Sequence, residues 1–158
     1  MFKSYSRGMY NICLRMIGNK QDAEDVLQDA FVNAYLKIHQ LRSLDSFGAW
    51  IKRIVINQNI QFLRSQIMFA DIDDIKAEME TQEETQLEAY SMIRINEEIK
   101  QLPDGCRIIF NLFLLENYSH KEIAEILNIS ESTSKSQYRR ARHLLQKRLK
   151  EKANYGQI

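Results

Sequence analysis

The chain is poor in residues that break helices and in residues that staple small folds or bind metals. It has one proline, Pro103, and five glycines among 158 residues, so most of the sequence can form uninterrupted helices. Its two cysteines, Cys13 and Cys106, lie far apart and belong to no CxxC or Cys/His cluster, which argues against a zinc site or a disulfide framework. We interpret both as buried thiols and predict an all-α fold.

Signals for catalysis and for membranes are equally scarce. The three histidines, His39, His120 and His143, show neither metal spacing nor a neighbouring nucleophile, so we predict no metal site, no cofactor and no enzymatic activity. We interpret them as surface or capping residues. Apolar residues make up 44% of the chain, but polar residues interrupt every run, which argues against membrane insertion. The N-terminal sequence MFKSYSRGMY has no targeting pattern, and we expect a cytoplasmic protein.

The net charge of +1 hides a strong segregation of charge along the chain. Residues 71–88 contain eight acids and one base, whereas residues 132–152 contain eight Lys or Arg and one acid. The acidic segment is too polar to bury the surface that would offset its ordering entropy. The predicted organisation is a helical domain at 1–70, an acidic flexible linker at 71–89, a second helical domain at 90–152 and a tail at 153–158.

Residues 119–142, SHKEIAEILNISESTSKSQYRRAR, have the pattern of a helix-turn-helix. Ser119 precedes Glu122 by three residues, the capping-box spacing of a helix start. Residues 128–130 supply turn chemistry, and a second helix is predicted from about Ser132. Its basic outer face favours DNA contact over a merely solvated helix. The predicted inner positions are Tyr138, Ala141, Leu145 and Leu149, and the outer ones are Lys135, Arg139 and Arg142.

The N-terminal domain is predicted to contain three helices, at residues 2–17, 20–39 and 47–64, with Gly18 and Asn19 ending the first. An apolar stripe of the second helix is interpreted as core: Ala23, Leu27, Ala30, Ala34 and Ile38. Another face of the same helix carries Asp25, Gln28, Asp29 and Val32. On composition alone, this patch is most simply a solvated surface.

The third helix carries a polar stripe and no acid. The stripe consists of Arg53, Asn57, Gln61 and Arg64. Its donors and acceptors suit phosphates and base edges. The predicted inward residues are Trp50, Ile51, Ile54, Val55 and Phe62. We interpret Trp50 as a core residue rather than a base-stacking one, and the preceding loop, Leu41 to Ser46, as able to hold an unstacked base of single-stranded DNA.

Three sequence blocks resemble those of extracytoplasmic-function sigma factors, two-domain members of the bacterial RNA polymerase sigma family. They are DAEDVLQDAF at 22–31, WIKRIVINQN at 50–59 and SESTSKSQYRRAR at 130–142, and the likeness spans the chain from about Tyr5 to Leu149. The resemblance implies a non-enzymatic subunit that binds RNA polymerase core, directs it to promoters and stabilises melted minus-ten DNA. The implied partners are polymerase core, duplex and melted promoter DNA, and an anti-sigma factor.

Carried over by position, the resemblance also implies three sets of contacts. The polymerase-binding set is Asp25, Gln28, Asp29 and Val32. The minus-ten set is Arg42, Arg53, Asn57 and Arg64, with Asn57 as the leading candidate for holding a flipped base. The minus-thirty-five set is Thr133, Lys135, Ser136, Arg139, Arg140 and Arg142. The acidic linker is either a segment that runs near nascent RNA or a spacer.

Departures from the family pattern leave two alternatives open. Relatives usually have a further helix ahead of the first one here, so either the start was assigned too far downstream or the first domain is pared down. Ser132 and Ser134 stand where many relatives have glycine and valine; Ser132 can serve as an N-cap, while Ser134 is expected to fill a packed turn poorly. The alternatives to a sigma-factor function are an autonomous, dimeric helix-turn-helix regulator and a truncated sigma-like module that titrates a partner.

Overall fold

The structure, a computed structural model, describes residues 2–64 and 91–155, which fall into two compact units. Every regular element within these ranges is helical, which confirms the all-α prediction. The first unit contains α1 (Phe2–Ile17), α2 (Lys20–Leu36) and α3 (Phe47–Arg64); the second contains α4 (Met92–Ile99), α5 (Asp104–Phe110), α6 (His120–Leu127) and α7 (Glu131–Tyr155). The linker predicted at 71–89 and both of its boundaries lie outside the described residues.

The junction between α1 and α2 is built from the two residues expected there. Gly18 has a φ of 82°, in the left-handed region that glycine adopts without strain, and its N–H donates to the carbonyl of Leu14 at 2.8 Å. Asn19, which follows the end of α1, also caps the next helix. Its side-chain oxygen accepts from the backbone N–H of Asp22 at 3.1 Å and so caps the start of α2.

The end of α2 differs from the prediction. The helix stops at Leu36 instead of continuing to 39, because the N–H of Lys37 is shared between the carbonyls of Asn33 and Ala34, and a 3-10 turn, Ile38–Gln40, follows. Ile38 is therefore exposed, so its assignment to the core was wrong. The core position that the prediction missed on this helix is Val26.

The core of the first unit forms where α1 and α3 pack against the alanine face of α2. Ala23, Ala30 and Ala34 are completely buried, and these small side chains allow close helix approach. The buried residues of α1 and α3 are Met9, Ile12, Cys13, Met16, Ile17, Phe47, Ile51, Val55, Ile56, Asn59, Ile60 and Leu63. Of the inward residues predicted for α3, Ile51 and Val55 are buried, whereas Trp50, Ile54 and Phe62 are only partly buried.

An aromatic cluster lies where α1 and α3 begin. Phe47 is its centre, with ring centroids 5.5 Å from Phe2, 5.2 Å from Tyr5 and 5.9 Å from Trp50. Gly48 permits this packing, because a Cβ there would lie 3.1 Å from Cε1 of Tyr5. Trp50 therefore contacts the core, as predicted, although one side of it stays accessible.

The core of the second unit forms between α4, α5 and α7. It consists of Ile95, Ile99, Leu102, Cys106, Phe110, Ala141, Leu145 and Leu149, which include three of the four predicted inner residues of α7; the fourth, Tyr138, packs against them partly buried. Between α5 and α6 the chain forms a π-helical turn, Asn111–Leu115, in which the N–H of Glu116 donates to the carbonyl of Asn111 at 3.0 Å. The sequence patterns did not indicate this turn.

Candidate nucleic-acid interface

The helix-turn-helix of the second unit begins with the predicted capping box. The N–H of Glu122 donates to the hydroxyl of Ser119 at 3.1 Å, and the N–H of Ser119 donates to the Glu122 carboxylate at 2.8 Å. Helix α6 ends at Asn128, whose φ of 55° is left-handed, and the N–H of Ile129 then donates to the carbonyl of Ala124 at 3.0 Å. Local hydrogen bonds thus define both ends of the first helix of the motif.

The second helix of the motif, α7, starts one residue earlier than predicted. Ser130 is its N-cap, because its hydroxyl oxygen accepts from the N–H of Thr133 at 3.0 Å while the same hydroxyl donates to Oγ1 of Thr133 at 2.7 Å. Ser132 lies inside the first turn, so the expectation that it serves as the cap was wrong.

Ser134 lies between the two helices of the motif, and its hydroxyl is satisfied there by a hydrogen bond. It is completely buried, and its hydroxyl lies 2.8 Å from Nδ1 of His120. The His120 ring in turn stacks on Phe113 of the π turn, with centroids 4.1 Å apart and planes 12° from parallel. The expectation that Ser134 would fill the turn poorly was therefore wrong. His120 is partly buried and bonded to Ser134, so it is not a surface residue.

The surroundings of His120 favour its neutral form. Burial lowers its pKa below the ordinary value of 6.5, and the positive charge of Lys135 lowers it further; Glu131 partly opposes this, and Arg139 adds a smaller lowering effect. A neutral ring at physiological pH is compatible with stacking on Phe113 and with a hydrogen bond to Ser134.

The cations predicted to touch duplex DNA divide into two groups. Lys135 and Arg139 are exposed, and the ammonium of Lys135 lies 3.3 Å from the Glu131 carboxylate, a residue that the sequence analysis did not assign to the interface. Arg140 and Arg142 are partly buried. The guanidinium carbon of Arg142 lies 5.9 Å from the Tyr138 ring centroid and its Nε is buried, so it lies on the flank of α7 and not on the predicted outer side.

The hydroxyls predicted to contact phosphates are already engaged in α7. Thr133 accepts from Ser130, and Ser136 donates to the carbonyl of Ser132 at 2.9 Å. At the far end of the helix, Lys152 forms an ion pair with Glu98, whose side chain is 4% exposed. Lys152 therefore joins α7 to α4, and the basic stripe that faces solvent is shorter than its sequence suggested.

In the first unit, α3 presents the predicted polar stripe to solvent. Arg53, Asn57, Gln61 and Arg64 are all exposed, and α3 contains no acidic side chain. Asn59, two residues after Asn57, lies on the opposite side and is buried, donating to the carbonyl of Val55 at 2.7 Å and to Sγ of Cys13 at 3.2 Å. The two asparagines therefore have different environments on one helix.

The loop before α3 contains a rigid element that the sequence analysis did not describe. Residues Leu44–Ser46 form a 3-10 turn, and the hydroxyl of Ser46 donates to the carbonyl of Ser43 at 2.8 Å. Arg42 is exposed, as is Leu44, which retains 71% of its accessible surface. The loop thus presents a cation and an aliphatic side chain at the start of α3.

The polar patch on α2 is exposed and longer than predicted. Asp25, Gln28, Asp29 and Val32 all lie at the surface. Tyr35 and Leu36 continue the patch and are 71% and 67% exposed. Residues 25, 29, 32 and 36 share one helix face at 100° per residue, which is the signal that could have found Leu36. Apolar side chains this exposed favour a protein partner over simple solvation.

Neither a membrane crossing nor a metal site is evident in the described part of the chain. None of the helices within 2–64 and 91–155 combines the length and apolarity that a membrane crossing requires. These residues also bring no three His, Cys, Asp or Glu side chains together as potential metal ligands.

A capped helix-turn-helix with exposed cations, in a chain whose other unit carries an acid-free polar helix, defines a DNA-binding transcription protein. Residues 1–67 match the model of sigma-70 region 2, and residues 92–145 match that of sigma-70 region 4. The ECF RNA polymerase sigma factor SigW of Bacillus subtilis is 31% identical over 160 residues, covering 93% of this chain and 86% of SigW. SigM of the same organism is 31% identical and covers 92% of this chain and 90% of SigM. The chain therefore belongs to the extracytoplasmic-function sigma factors of the sigma-70 family.

A solved structure has the same fold. The sigma factor RpoE of Bartonella quintana, crystallised with the anti-sigma factor NepR, superposes with a TM-score of 0.60 at 20% identity, covering 94% of each chain. Family membership confirms the resemblance found in the sequence and makes the protein a transcription initiation factor, not an enzyme. It favours this function over an autonomous regulator or a titrating module.

Proposed function

We propose that this sigma factor binds RNA polymerase core through α2 and reads two promoter elements, one with each unit. The observation that carries the proposal is the pairing, in one chain, of a capped helix-turn-helix that exposes Lys135 and Arg139 with an α3 face that has no acid. Each exposed cation that neutralises a phosphate releases a counterion, so promoter affinity falls steeply with salt.

The polymerase contact is assigned to the exposed face of α2. Its acidic and amide side chains, Asp25, Gln28 and Asp29, would fix orientation, and Val32 would supply apolar area at the centre of the contact. The exposed Tyr35 and Leu36 enlarge that area, which supports a protein partner at this face.

The minus-ten contact is assigned to α3 and the loop before it. Asn57 is the proposed base-reading residue, because an amide both donates to and accepts from the edge of a flipped base. Arg42, Arg53 and Arg64 are the proposed phosphate contacts, since they are exposed cations on α3 and the loop before it.

The minus-thirty-five contact is assigned to the N-terminal half of α7. Lys135, Arg139 and Arg140 are the proposed readers of guanines or phosphates. Thr133 and Ser136 would contact phosphates through hydroxyls that also hold the first turns of the helix. Arg142, which packs against Tyr138, is proposed as a flanking phosphate contact.

We also propose an anti-sigma factor as a partner and the cytoplasm as the place of action. RpoE of Bartonella quintana is described in complex with the anti-sigma factor NepR, which supports this kind of partner for a chain of the same fold. Promoters lie on the chromosome, so a promoter-reading subunit works where the chromosome is.

Reconstitution with polymerase core tests the proposal. The purified chain is expected to form a one-to-one complex with core and to start run-off transcription from cognate promoters, while binding DNA weakly by itself. A dimer that protects a palindromic site without core would instead indicate an autonomous regulator. Core binding without transcription would indicate a titrating module.

A further inference from the structure

A buried thiol lies beneath the recognition helix of the second unit. Cys106 of α5 is completely buried in the core, beside Ala141 and Leu145 of α7. It donates a hydrogen bond to the side-chain oxygen of Gln137, with 3.0 Å between Sγ and Oε1. Gln137 is itself buried, so this contact determines where an amide of α7 is held.

The same sulfur also lies near a cation of the proposed DNA interface. Arg140 lies three residues after Gln137 and is therefore its neighbour on the surface of α7. Its guanidinium is close enough to Cys106 for its charge to lower the pKa of the thiol, against the larger effect of burial. Because Arg140 is only partly buried, it remains accessible to a ligand.

The protonation state of Cys106 suits this arrangement. Burial raises the pKa of the thiol, and the nearby charge of Arg140 opposes that rise to a smaller extent. The group is consequently a neutral thiol at physiological pH. Only the protonated sulfur can donate to Gln137, while its lone pairs remain available to Arg140.

We propose that Cys106 is a positioning residue for promoter recognition, which holds Gln137 and Arg140 so that the Arg140 guanidinium meets the upstream element in one orientation. The inference rests on the proposed function of α7 as the reading helix. Arginine reads guanine with two N–H groups in one plane, so orientation decides whether both bonds form. A guanidinium that is already held loses less rotamer freedom when it binds.

A double-mutant cycle in the full chain, assembled with RNA polymerase core, tests this role. Promoter affinity is measured for Cys106→Ala, Arg140→Ala and the double variant, on the cognate promoter and on promoters changed at each base pair of the upstream element. Cys106→Ala is expected to lower affinity about fivefold and to relax discrimination at the same base pair as Arg140→Ala. The double variant is expected to be no weaker than Arg140→Ala alone.

Three variants serve as controls. Cys106→Ser restores a hydrogen-bonding group and is expected to recover most of the discrimination. Cys13→Ala alters the other completely buried cysteine, in the first unit, and is expected to leave upstream discrimination unchanged. Arg139→Ala is expected to add its loss to that of Cys106→Ala, because Arg139 does not contact the thiol. If the alanine variant fails to fold, Cys106→Val takes its place, because it fills the site with an apolar side chain that cannot donate a hydrogen bond.

Two results would overturn the positioning role. One is that Cys106→Ala lowers affinity equally for promoters changed at every base pair of the element. The other is that its loss of affinity adds fully to that of Arg140→Ala. Failure of the proposed function looks different, since the wild-type chain would then show no promoter-specific binding with core.

Discussion

The two proposed DNA-binding helices, α3 and α7, differ in how their side chains are held. On α3, the exposed side chains of Arg53, Asn57 and Gln61 make no hydrogen bond to any residue within 2–64 and 91–155. On α7, the first turns are tied together by the Ser130 cap and the Glu131–Lys135 pair. This difference fits the two different promoter contacts proposed for the helices.

A duplex groove and a melted strand make different demands on a protein surface. A base pair in the major groove has a fixed position, so a reading helix gains from side chains that are already oriented. A single strand is flexible, and a flipped base is captured by side chains that can close around it. The capped first turns of α7 suit the first task, and the accessible amide of α3 suits the second.

The largest expected effect is a loss of binding to the upstream element when a cation of α7 is removed. Arg139→Ala removes an exposed cation from the centre of the α7 face and should weaken binding to the upstream element about tenfold or more. A footprint of the holoenzyme on the promoter measures this. Lys147→Ala, an equally exposed cation further along α7, is the matched control and should cost less. Unchanged protection of the element in the Arg139→Ala holoenzyme would contradict the proposed role of Arg139 on α7.

The next effect tests the role of α3 in promoter opening, as distinct from promoter binding. Asn57→Ala should lower the yield of open complex about fivefold while leaving closed-complex binding intact, because the amide is proposed to act on a base that is already flipped. Permanganate reactivity of the melted strand reports opening. Gln61→Ala, one helical turn away on the same stripe, is the control. An open-complex yield equal to that of the wild type would rule out the assigned role of Asn57.

A smaller effect tests how the reading helix is held. Ser134→Val replaces a buried hydroxyl by an apolar side chain, and it leaves Nδ1 of His120 without its partner. The second unit should lose about 1 kcal/mol of stability, seen as a lower unfolding temperature. Ser136→Ala, which removes a hydroxyl that bonds to the carbonyl of Ser132 within the same helix, should cost less. A stability gain in Ser134→Val would show that the His120 contact contributes nothing.

The smallest effect is a pH dependence. Because the pKa of His120 in the folded protein lies below 6.5, the unfolded chain binds its proton first as the pH falls. The stability of the second unit should be complete above about 6.5 and decline below it, and His120→Gln should flatten that decline. Thermal unfolding across this range measures the slope. His143→Gln is the control with an exposed ring, and a decline that disappeared in this variant instead would contradict the assignment to His120.

Local chemistry explains why much of this protein was predictable from its sequence. Gly18 ends α1 and the Ser119–Glu122 box starts α6, because these signals act within one helical turn. The exposed stripe of α3 followed from a 3.6-residue period in the same way. The three helices of the first unit, the turn of the helix-turn-helix and the exposed stripe of α3 were therefore largely set by neighbours in sequence.

Tertiary structure decided the features that depend on residues far apart in the chain. Ser134 is satisfied by His120, Gln137 by Cys106, and Glu98 by Lys152, and no local pattern identifies such partners. These pairs form because burial makes an unpaired polar group costly, so the packed fold selects whichever partner lies within reach. The sequence by itself thus determined the local capping signals and which faces are polar, whereas packing decided which polar side chains hold the protein together and which stay exposed.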